Sequence, residues 1–306
     1  MILLAGGTGR LGTALVGLLT ARELPVRVLT REPARARHLT GKHVEIVQAD
    51  LRDRDAVERA VSGATTAISA VQAGFGATAG SSPRTVDLQG NGNLVDAARS
   101  DGVEQFVLVS IIDAAADHPL ELWRMKYLAE QKLKASGLSW TIVRATAFME
   151  WCISLIGEPL WRSGRTRIFG TGNNPINFVS ADDVARFVER AVVDPTLRGQ
   201  VVEVVGPEDL TFNEVVERIQ TVTGTSGTVS HVPLPLMRIM SRVLALLTPA
   251  LAREIQAGVF LDTADRTATA SASRAAYPSI PMTNMTDVIR RQYATHQHAA
   301  AAARTP

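Results

Sequence analysis

The sequence predicts an α/β protein built on a doubly wound parallel sheet, with a smaller C-terminal region after it. Over the first two thirds of the 306 residues, short β-branched runs alternate with helical patterns, which is typical of βαβ units. Several of these runs are apolar throughout, as strands covered on both faces are. Because crossovers between parallel strands are right-handed, such units assemble into one doubly wound sheet.

The elements of this sheet follow in order along the chain. Strands are predicted at residues 2–5, 26–30, 44–48, 66–71, 105–110 and 140–144. Helices are predicted between them at residues 11–22, 54–62, 85–100 and 120–135. Further on, strands are predicted at 165–169 and 200–205, and helices at 181–193 and 212–223. Thr211 followed by Glu214 has the spacing of a capping box at the start of the last of these helices.

Composition narrows the classes of partner. A formal net charge of +2, with 46% hydrophobic and 20% charged residues, gives no reason to expect a nucleic acid and favours a small-molecule substrate. The longest uncharged apolar stretch, 243–252, is shorter than the roughly 20 residues of a membrane span. It predicts a core or groove-lining helix, with a membrane-surface helix as the alternative. Cys152 is the single cysteine, which together with the absence of a signal-peptide pattern predicts a cytoplasmic protein; the oligomeric state stays open.

A glycine-rich turn follows the first predicted strand and opens the first predicted helix. Gly6 permits a tight turn, Gly9 lets the backbone approach a pyrophosphate, and Gly12 lets helix and strand pack closely. The helix N-terminus offers N–H groups and the positive end of its dipole to phosphates. This strand–turn–helix context predicts a Rossmann-type site for a nicotinamide dinucleotide. The predicted cofactor contacts are Gly6, Thr8, Gly9, Arg10, Leu11, Gly12, Arg31, Asp50, Leu51, Ala70, Val71 and Lys126.

The end of the second strand favours NADPH over NADH. NAD-binding proteins place an acidic residue about 20 residues beyond the glycines, where it holds the ribose 2′-OH. Thr30 stands near that position and Arg31 follows it, and a guanidinium suits a 2′-phosphate. Glu32 could serve the ribose if the strand ended later, so NADH remains the alternative. Asp50, after the third strand, is expected either near the adenine or as a helix N-cap.

Further motifs accompany the glycine turn. They are Ala49-Asp50-Leu51, Val109-Ser110, Lys126-x-x-x-Glu130, the stretch 136–144 (SGLSWTIVR), the stretch 177–185 (NFVSADDVA) and Gly206-Pro207-Glu208. In combination these motifs resemble the NmrA-like family of atypical short-chain dehydrogenases/reductases. The resemblance runs from the N-terminus to Glu208. It implies a Rossmann fold and a nicotinamide cofactor.

The resemblance also implies where catalysis would take place. Orthodox members use Tyr-x-x-x-Lys on one helix face, where the lysine lowers the pKa of the tyrosine and holds the ribose. Lys126 matches the lysine, but Leu122 stands at the tyrosine position, and Tyr127 points about 100° away from Lys126. Ser110 matches the serine that binds the substrate carbonyl. Lys126 and Ser110 are therefore the catalytic candidates; the structural alternatives are an ion pair of Lys126 with Glu130 and a strand-end cap for Ser110.

The substrate side is predicted after the sixth strand, where open α/β sheets bind ligands. Phe148, Met149 and Trp151 would form an apolar lining suited to a quinone or enone; ordinary core packing is the alternative. A Gly/Ala/Ser-rich loop at 74–83 is a candidate flap. The predicted division is a nucleotide-binding domain over 1–147 that 176–206 completes, a substrate-binding region over 148–295, and a disordered tail over 296–306.

The predicted function is an NAD(P)H-dependent oxidoreductase acting on a small carbonyl, quinone or enone. In that scheme Ser110 orients the acceptor oxygen, and Lys126 holds the ribose and supplies a proton. The alternative is a non-catalytic NADP(H)-binding redox sensor, regulatory protein or scaffold, which Leu122 in place of the tyrosine favours. Nucleotide-sugar epimerisation is a third possibility that the missing tyrosine weakens.

Overall fold

The computed structural model describes residues 1–73, 80–268 and 275–302. The chain forms two compact units. The first comprises Met1–Ala145 and Ala181–Val204, and the second comprises Thr146–Ser180 and Val205–Pro306. Most of the predicted flap (74–79) and the last four residues (303–306) lie outside the described residues.

The described strands and helices are as follows. The strands are β1 (Ile2–Ala5), β2 (Val26–Thr30), β3 (Val44–Gln48), β4 (Thr66–Ser69), β5 (Gln105–Ile111), β6 (Ser139–Ala145), β7 (Ala147–Phe148), β8 (Arg165–Phe169), β9 (Ile176–Val179), β10 (Gln200–Val204), β11 (Glu208–Leu210) and β12 (Thr228–Val232). The α-helices are α1 (Arg10–Ala21), α2 (Arg54–Val61), α3 (Asn91–Ser100), α4 (Glu121–Lys134), α5 (Met149–Ser163), α6 (Ala181–Val193), α7 (Phe212–Thr223), α8 (Leu234–Leu247), α9 (Pro249–Thr263) and α10 (Met285–Ala302).

Seven parallel strands form the sheet of the first unit, in the order β10-β6-β5-β4-β1-β2-β3. This is the doubly wound arrangement, and the prediction of a Rossmann-type parallel sheet is confirmed. The strand order reverses between β1 and β4, whose last residues Ala5 and Ser69 lie side by side in register. Ligands of such sheets bind at the carboxyl ends of the strands at this reversal. The strand interiors are apolar and buried, since helices cover both faces.

Two element boundaries differ from the sequence expectation near this point. β4 ends at Ser69, so Ala70 and Val71 lie just beyond the strand. The predicted helix at 85–100 begins as a π-type helix, Pro83–Gly90, and continues as α3. Ser82 starts it with a reciprocal capping box in which its hydroxyl accepts from Thr85 N. π-helical segments are rare and concentrate at functional sites.

The second unit has a core formed by α5, α7 and α10 against short strands. β9 pairs in parallel with β7 and antiparallel with β11, and β8 pairs in parallel with β12. The capping box predicted at α7 is confirmed, since Thr211 Oγ1 accepts from Glu214 N at 3.1 Å and Glu214 Oε2 accepts from Thr211 N at 2.7 Å.

The C-terminal tail corrects one expectation. Residues 296–302 were expected to be disordered but continue the helix α10. Alanine has the highest helix propensity of any residue type, so the alanine run favours continuation of the helix. Val288 and Ile289, near the start of the helix, are buried and anchor it. Among the described residues, no helix has the length and apolar character needed to cross a bilayer.

Candidate functional site

The glycine turn between β1 and α1 lets backbone segments approach too closely for a side chain at Gly6 and Gly12. Gly6 adopts φ +89°, and a Cβ there would lie 2.6 Å from the carbonyl oxygen of Ala70. A Cβ on Gly12 would lie 2.2 Å from the Gly6 carbonyl oxygen. At Gly9 the nearest atom to such a Cβ is 3.5 Å away, and the residue is exposed. Gly6 and Gly12 therefore let β1, β4 and α1 meet closely, while the backbone at Gly9 stays accessible to a ligand.

The N-terminus of α1 emerges from this turn. Gly9 is its N-cap and provides no side-chain capping bond, so the first-turn amides have no side-chain acceptor at that position. Thr8 is half-buried and Arg10 is exposed. Leu11 is 6% exposed and packs in the core, so only its backbone is available to a ligand. An uncapped helix N-terminus beside a glycine turn is a site suited to phosphate oxygens.

The end of β2 is defined by the side chain of Thr30. Its hydroxyl accepts a hydrogen bond from the Glu32 amide at 3.2 Å, and the side chain is buried. The strand therefore ends at Thr30, and Arg31 is the first residue beyond it. Gln48 Nε2 donates to the Arg31 carbonyl at 3.2 Å. The side chains of Arg31 and Glu32 are both exposed.

Asp50 is held by an arginine that sequence reasoning missed. Arg52 Nε and Nη2 lie 2.9 and 2.6 Å from the two Asp50 carboxylate oxygens, and the Arg52 amide donates to Oδ1 at 2.9 Å. These hydrogen bonds from Arg52 hold the pKa of Asp50 below its ordinary value, with a smaller contribution from the charge of Arg31. The possible N-cap role of Asp50 is wrong, because Asp53 caps α2 by accepting from Ala56 N at 3.1 Å. Leu51 is buried, and its carbonyl accepts from Asn93.

Lys126 lies inside the protein, at 2% exposure, beside a carboxylate that is 0% exposed. Its Nζ is 3.0 Å from Asp87 Oδ1, 2.7 Å from the Val71 carbonyl oxygen and 3.4 Å from the Val109 carbonyl oxygen. Three oxygens thus surround an ammonium group with three protons. The structural alternative of a pair between Lys126 and Glu130 is wrong, because the partner, Asp87, comes from the π-type helix.

Asp87 joins this lysine to the backbone beyond β4. Its Oδ2 accepts from Ala73 N at 2.9 Å. Burial raises the pKa of Asp87, and the positive charge of Lys126 works against that rise. Asn91 Nδ2 donates to the Asp87 carbonyl at 2.8 Å, and Ser69 Oγ donates to Asn91 Oδ1 at 2.5 Å. The carboxyl end of β4 is therefore held by a chain of buried polar contacts.

Ser110 lies at the end of β5 in a second buried network. Its Oγ donates to Glu130 Oε1 at 2.5 Å, and Arg144 Nε and Nη2 bind the same carboxylate at 3.0 and 2.6 Å. Glu130 raises the pKa of Arg144 through these hydrogen bonds. Because the Ser110 hydroxyl proton is used by Glu130, it is not available to a substrate carbonyl in this conformation, which corrects the predicted orienting role.

The predicted substrate residues lie in the second unit. Phe148 and Trp151 are half-buried. Met149 is 0% exposed and belongs to the apolar core of that unit, so the expectation that it lines a substrate site is corrected to core packing. Cys152 is also fully buried, and burial raises the pKa of its thiol far above the ordinary value. A reactive thiolate at this position is therefore excluded.

Sequence reasoning singled out the glycine turn, Arg31 and Lys126, whose roles at a cofactor stay predictions, but did not single out Arg52, Asp87 or Asn91. Asp87 stands in a helical pattern where a carboxylate is ordinarily solvated, and its partner is 39 positions away. Arg52 gave only one signal, its position directly after the Ala49-Asp50-Leu51 motif. The described residues contain no cluster of three or more His, Cys, Asp or Glu side chains that could hold a metal ion.

Known proteins resemble this chain in sequence and in fold. The family model described as the NmrA-like family matches residues 1–261. The NAD(P)H azoreductase of Xenophilus azovorans is 30% identical over 225 residues, which cover 73% of this chain and 74% of that protein. The photosystem II assembly factor Ycf39 of Synechocystis sp. is 28% identical over 245 residues, covering 78% and 72%. The NADPH-dependent quinone oxidoreductase QOR2 of Escherichia coli, solved with NADPH, matches with a TM-score of 0.75 at 19% identity, over 96% of this chain and 100% of that one.

The glycine turn predicts opposite outcomes for two substitutions on one helix. Gly12→Ala forces a Cβ against the Gly6 backbone and should lower the free energy of unfolding by about 2 kcal/mol or more. Gly17→Ala, in the same helix with no atom within 4 Å of the new Cβ, should stabilise by roughly 0.5 kcal/mol, because alanine favours the helix. Urea unfolding of the two variants measures both effects. Equal stabilities would contradict the close approach at Gly12.

The buried ion pair predicts a large cost for Lys126→Met. Removing one partner of a buried pair leaves an uncompensated charge and should destabilise by about 3 kcal/mol or more. Lys132→Met is the matched control on the same helix, because Lys132 pairs with Asp96 at 39% and 40% exposure. An exposed pair contributes less than about 1 kcal/mol. Chemical denaturation of both variants measures the two losses of stability. Similar losses would refute the assignment of Lys126 to a buried ion pair.

The same variant should show a pH dependence of defined sign. Without Lys126, the charge that opposes the burial-raised pKa of Asp87 is gone, so the folded protein keeps a proton there that the unfolded chain releases. Stability of the variant then falls as the pH rises above the unfolded pKa. The deficit of Lys126→Met relative to the wild type should be larger at about pH 8 than at about pH 5. A deficit independent of pH would show that Asp87 does not take up a proton in the variant.

Proposed function

This chain belongs to the NmrA-like family, and on that premise we propose that it is an NAD(P)H-dependent oxidoreductase acting on a small, readily reduced acceptor. The observation that carries the proposal is the glycine turn at the β1–β4 reversal, with its close contacts at Gly6 and Gly12 and its open backbone at Gly9. The azoreductase relative supports the reaction class.

The residues at this turn fit a dinucleotide. The backbone from Gly6 to Gly12 and the uncapped N-terminus of α1 would hold the pyrophosphate. Ala70 and Val71, directly across from Gly6, would form the other wall of the site. When bound, the cofactor supplies a hydride to the acceptor. The protein's own residues bind and orient the reactants.

We propose NADPH as the preferred cofactor. β2 ends at Thr30, whose hydroxyl is turned back onto its own backbone, so Arg31 rather than an acidic residue opens the loop that follows. The Asp50 carboxylate is neutralised by Arg52. Glu32 is the one acidic side chain left at the end of β2 to favour NADH. A guanidinium at this position suits the 2′-phosphate.

The polar contacts around Lys126 and Ser110 are relevant to which class of acceptor the protein reduces. Lys126 is enclosed by three oxygens and Ser110 donates to Glu130, while Leu122 replaces the tyrosine acid. We therefore assign Lys126 and Ser110 as positioning residues. Acceptors that become phenol-like when reduced need no strong protein acid, because a phenolate with a pKa of about 10 takes its proton from water. Quinones fit this condition better than simple aldehydes or ketones, whose reduction yields a much more basic alkoxide.

The alternative is a protein that binds the dinucleotide without turnover, as a sensor or scaffold. The same observations favour it: the tyrosine is absent, and both remaining candidates are engaged in internal contacts. A relative described as an assembly factor shows that the family includes proteins named for other roles. The two proposals differ in whether bound NADPH is consumed.

For either function, we propose a cytoplasmic location, which suits a chain with a single buried cysteine.

Arg31→Ala should separate the two cofactors. Loss of a charge-assisted bond to the 2′-phosphate should weaken NADPH binding by about tenfold or more and leave NADH almost unchanged. Arg59→Ala is the matched control, because it removes one exposed arginine from α2 of the same unit. Calorimetric titration of both cofactors measures the effect. An equal loss for NADPH and NADH would contradict the role of Arg31.

The proposed reaction is tested by mixing the protein with NADPH and a panel of acceptors, and following the loss of nicotinamide absorbance. Quinones should be reduced at least tenfold faster than simple aldehydes, because their products need no protein acid. Faster reduction of aldehydes would overturn the positioning roles of Lys126 and Ser110. NADPH binding without consumption across azo compounds, quinones and enones would favour the non-catalytic alternative.

A further inference from the structure

One face of α8 is apolar and exposed to solvent. Leu246 and Leu247 are 89% and 74% exposed, and Ile239 is 59% exposed. With their neighbours they recur at helical spacing, and at about 100° per residue they occupy an arc of about 120°. We refer to this set as the α8 stripe; it consists of Leu236, Ile239, Met240, Val243, Leu246 and Leu247.

The α8 stripe is distinct from the face by which α8 is anchored in the protein. Met237 and Ser241 are buried at 1% and 7% exposure, and α8 packs against α9. On a helical wheel these two residues lie roughly 100° to 140° from Leu236, outside the arc of the stripe. Among the described residues, α8 is therefore covered on the side of Met237 and Ser241, while the stripe next to it stays exposed. Contiguous exposed apolar surface of this kind marks an interaction site.

The most exposed residues lie at the end of the helix. α8 ends at Leu247, and Thr248 and Pro249 lead directly into α9. Leu251, in the first turn of α9, is also exposed. Two adjacent leucines that are largely exposed at a turn between two helices are positioned to insert into an apolar phase.

The charged residues of α8 have one sign. The helix contains Arg238 and Arg242 and no Asp or Glu. Arg238 and Arg242 are exposed and border one side of the stripe. Within the described part of the chain, no carboxylate forms a salt bridge with either of them. An apolar face bordered by arginines is the pattern of helices that lie in a membrane interface.

We propose that the α8 stripe binds the surface of an anionic lipid bilayer, with Leu246 and Leu247 among the acyl chains and Arg238 and Arg242 at the lipid phosphates. This is a binding activity separate from the reductase site. A second copy of the chain is a poorer occupant, because symmetric pairing of the stripes would bring together two arginine-bearing segments that contain no carboxylate. An anionic lipid surface is complementary in charge to the arginines, and its acyl chains can cover the apolar side chains of the stripe.

The test is flotation with vesicles of phosphatidylcholine alone and of equal parts phosphatidylcholine and phosphatidylglycerol. The wild-type protein should float with the mixed vesicles and stay in solution with the neutral ones. Leu246→Gln/Leu247→Gln should reduce partitioning by about a hundredfold, since two inserted side chains are lost. Arg238→Ala/Arg242→Ala should reduce it by roughly tenfold or more, and so should high salt.

Leu155→Gln is the matched control, because Leu155 is an exposed leucine of α5 outside the stripe, and it should float like the wild type. Unchanged thermal unfolding and NADPH titration of the stripe variants would show that they fold. Failure of the wild type to bind mixed vesicles would overturn the proposal, and so would binding that the leucine substitutions leave unchanged. A dimer in sedimentation that Leu246→Gln/Leu247→Gln dissociates, without vesicle binding, would assign the stripe to a second copy instead.

Discussion

The buried ion pair between Lys126 and Asp87 is the contact on which the candidate site depends. Lys126 reaches from α4 to the carbonyls of Val71 and Val109, at the ends of the adjacent strands β4 and β5. Asp87 binds the same ammonium and the amide of Ala73. Desolvating two charges is costly unless their remaining hydrogen-bonding capacity is satisfied. Here backbone groups bind Lys126 and Asp87 Oδ2, while Asp87 Oδ1 has only the ion pair with Lys126, and these contacts hold the backbone beyond β4.

That backbone is also the wall against which the glycine turn closes. A Cβ on Gly6 would meet the carbonyl of Ala70 and the amide of Val71, the residue whose own carbonyl Lys126 holds. Gly6 on one side and Lys126 on the other therefore both contact Val71. The shape of the proposed phosphate site follows from a steric constraint at Gly6 and from the buried charge of Lys126. In that proposal, phosphate oxygens would bind the backbone and the helix N-terminus rather than any one side chain.

In this chain, the two residues that match the catalytic pattern of the family make internal structural contacts. Lys126 and Ser110 remain where the family pattern has them, yet each is bound to a buried carboxylate, Asp87 and Glu130. Leu122 stands at the position of the tyrosine acid, and the acceptors proposed above are those that need only hydride and a proton from water. A fold of this type serves many functions, so the site and not the fold carries the functional argument. The α8 stripe adds a surface whose chemistry is independent of that site.

The sequence by itself determined the sheet, the glycine turn and the position of Arg31, because these depend on local signals. β-branched runs, glycine positions and capping residues act over a few neighbours, and β1, β2 and β3 begin and end where the pattern predicts. The tertiary structure alone decided the partners of the charged residues. From the sequence, the structural alternative for Lys126 is a pair with Glu130, four positions away, but burial brings Lys126 to Asp87, and Glu130 to Ser110 and Arg144. The apolar stretch 243–252 predicted one core or groove-lining helix, but the structure divides it between α8 and α9 and leaves Leu246 and Leu247 exposed, because a buried and an exposed leucine look the same in a sequence.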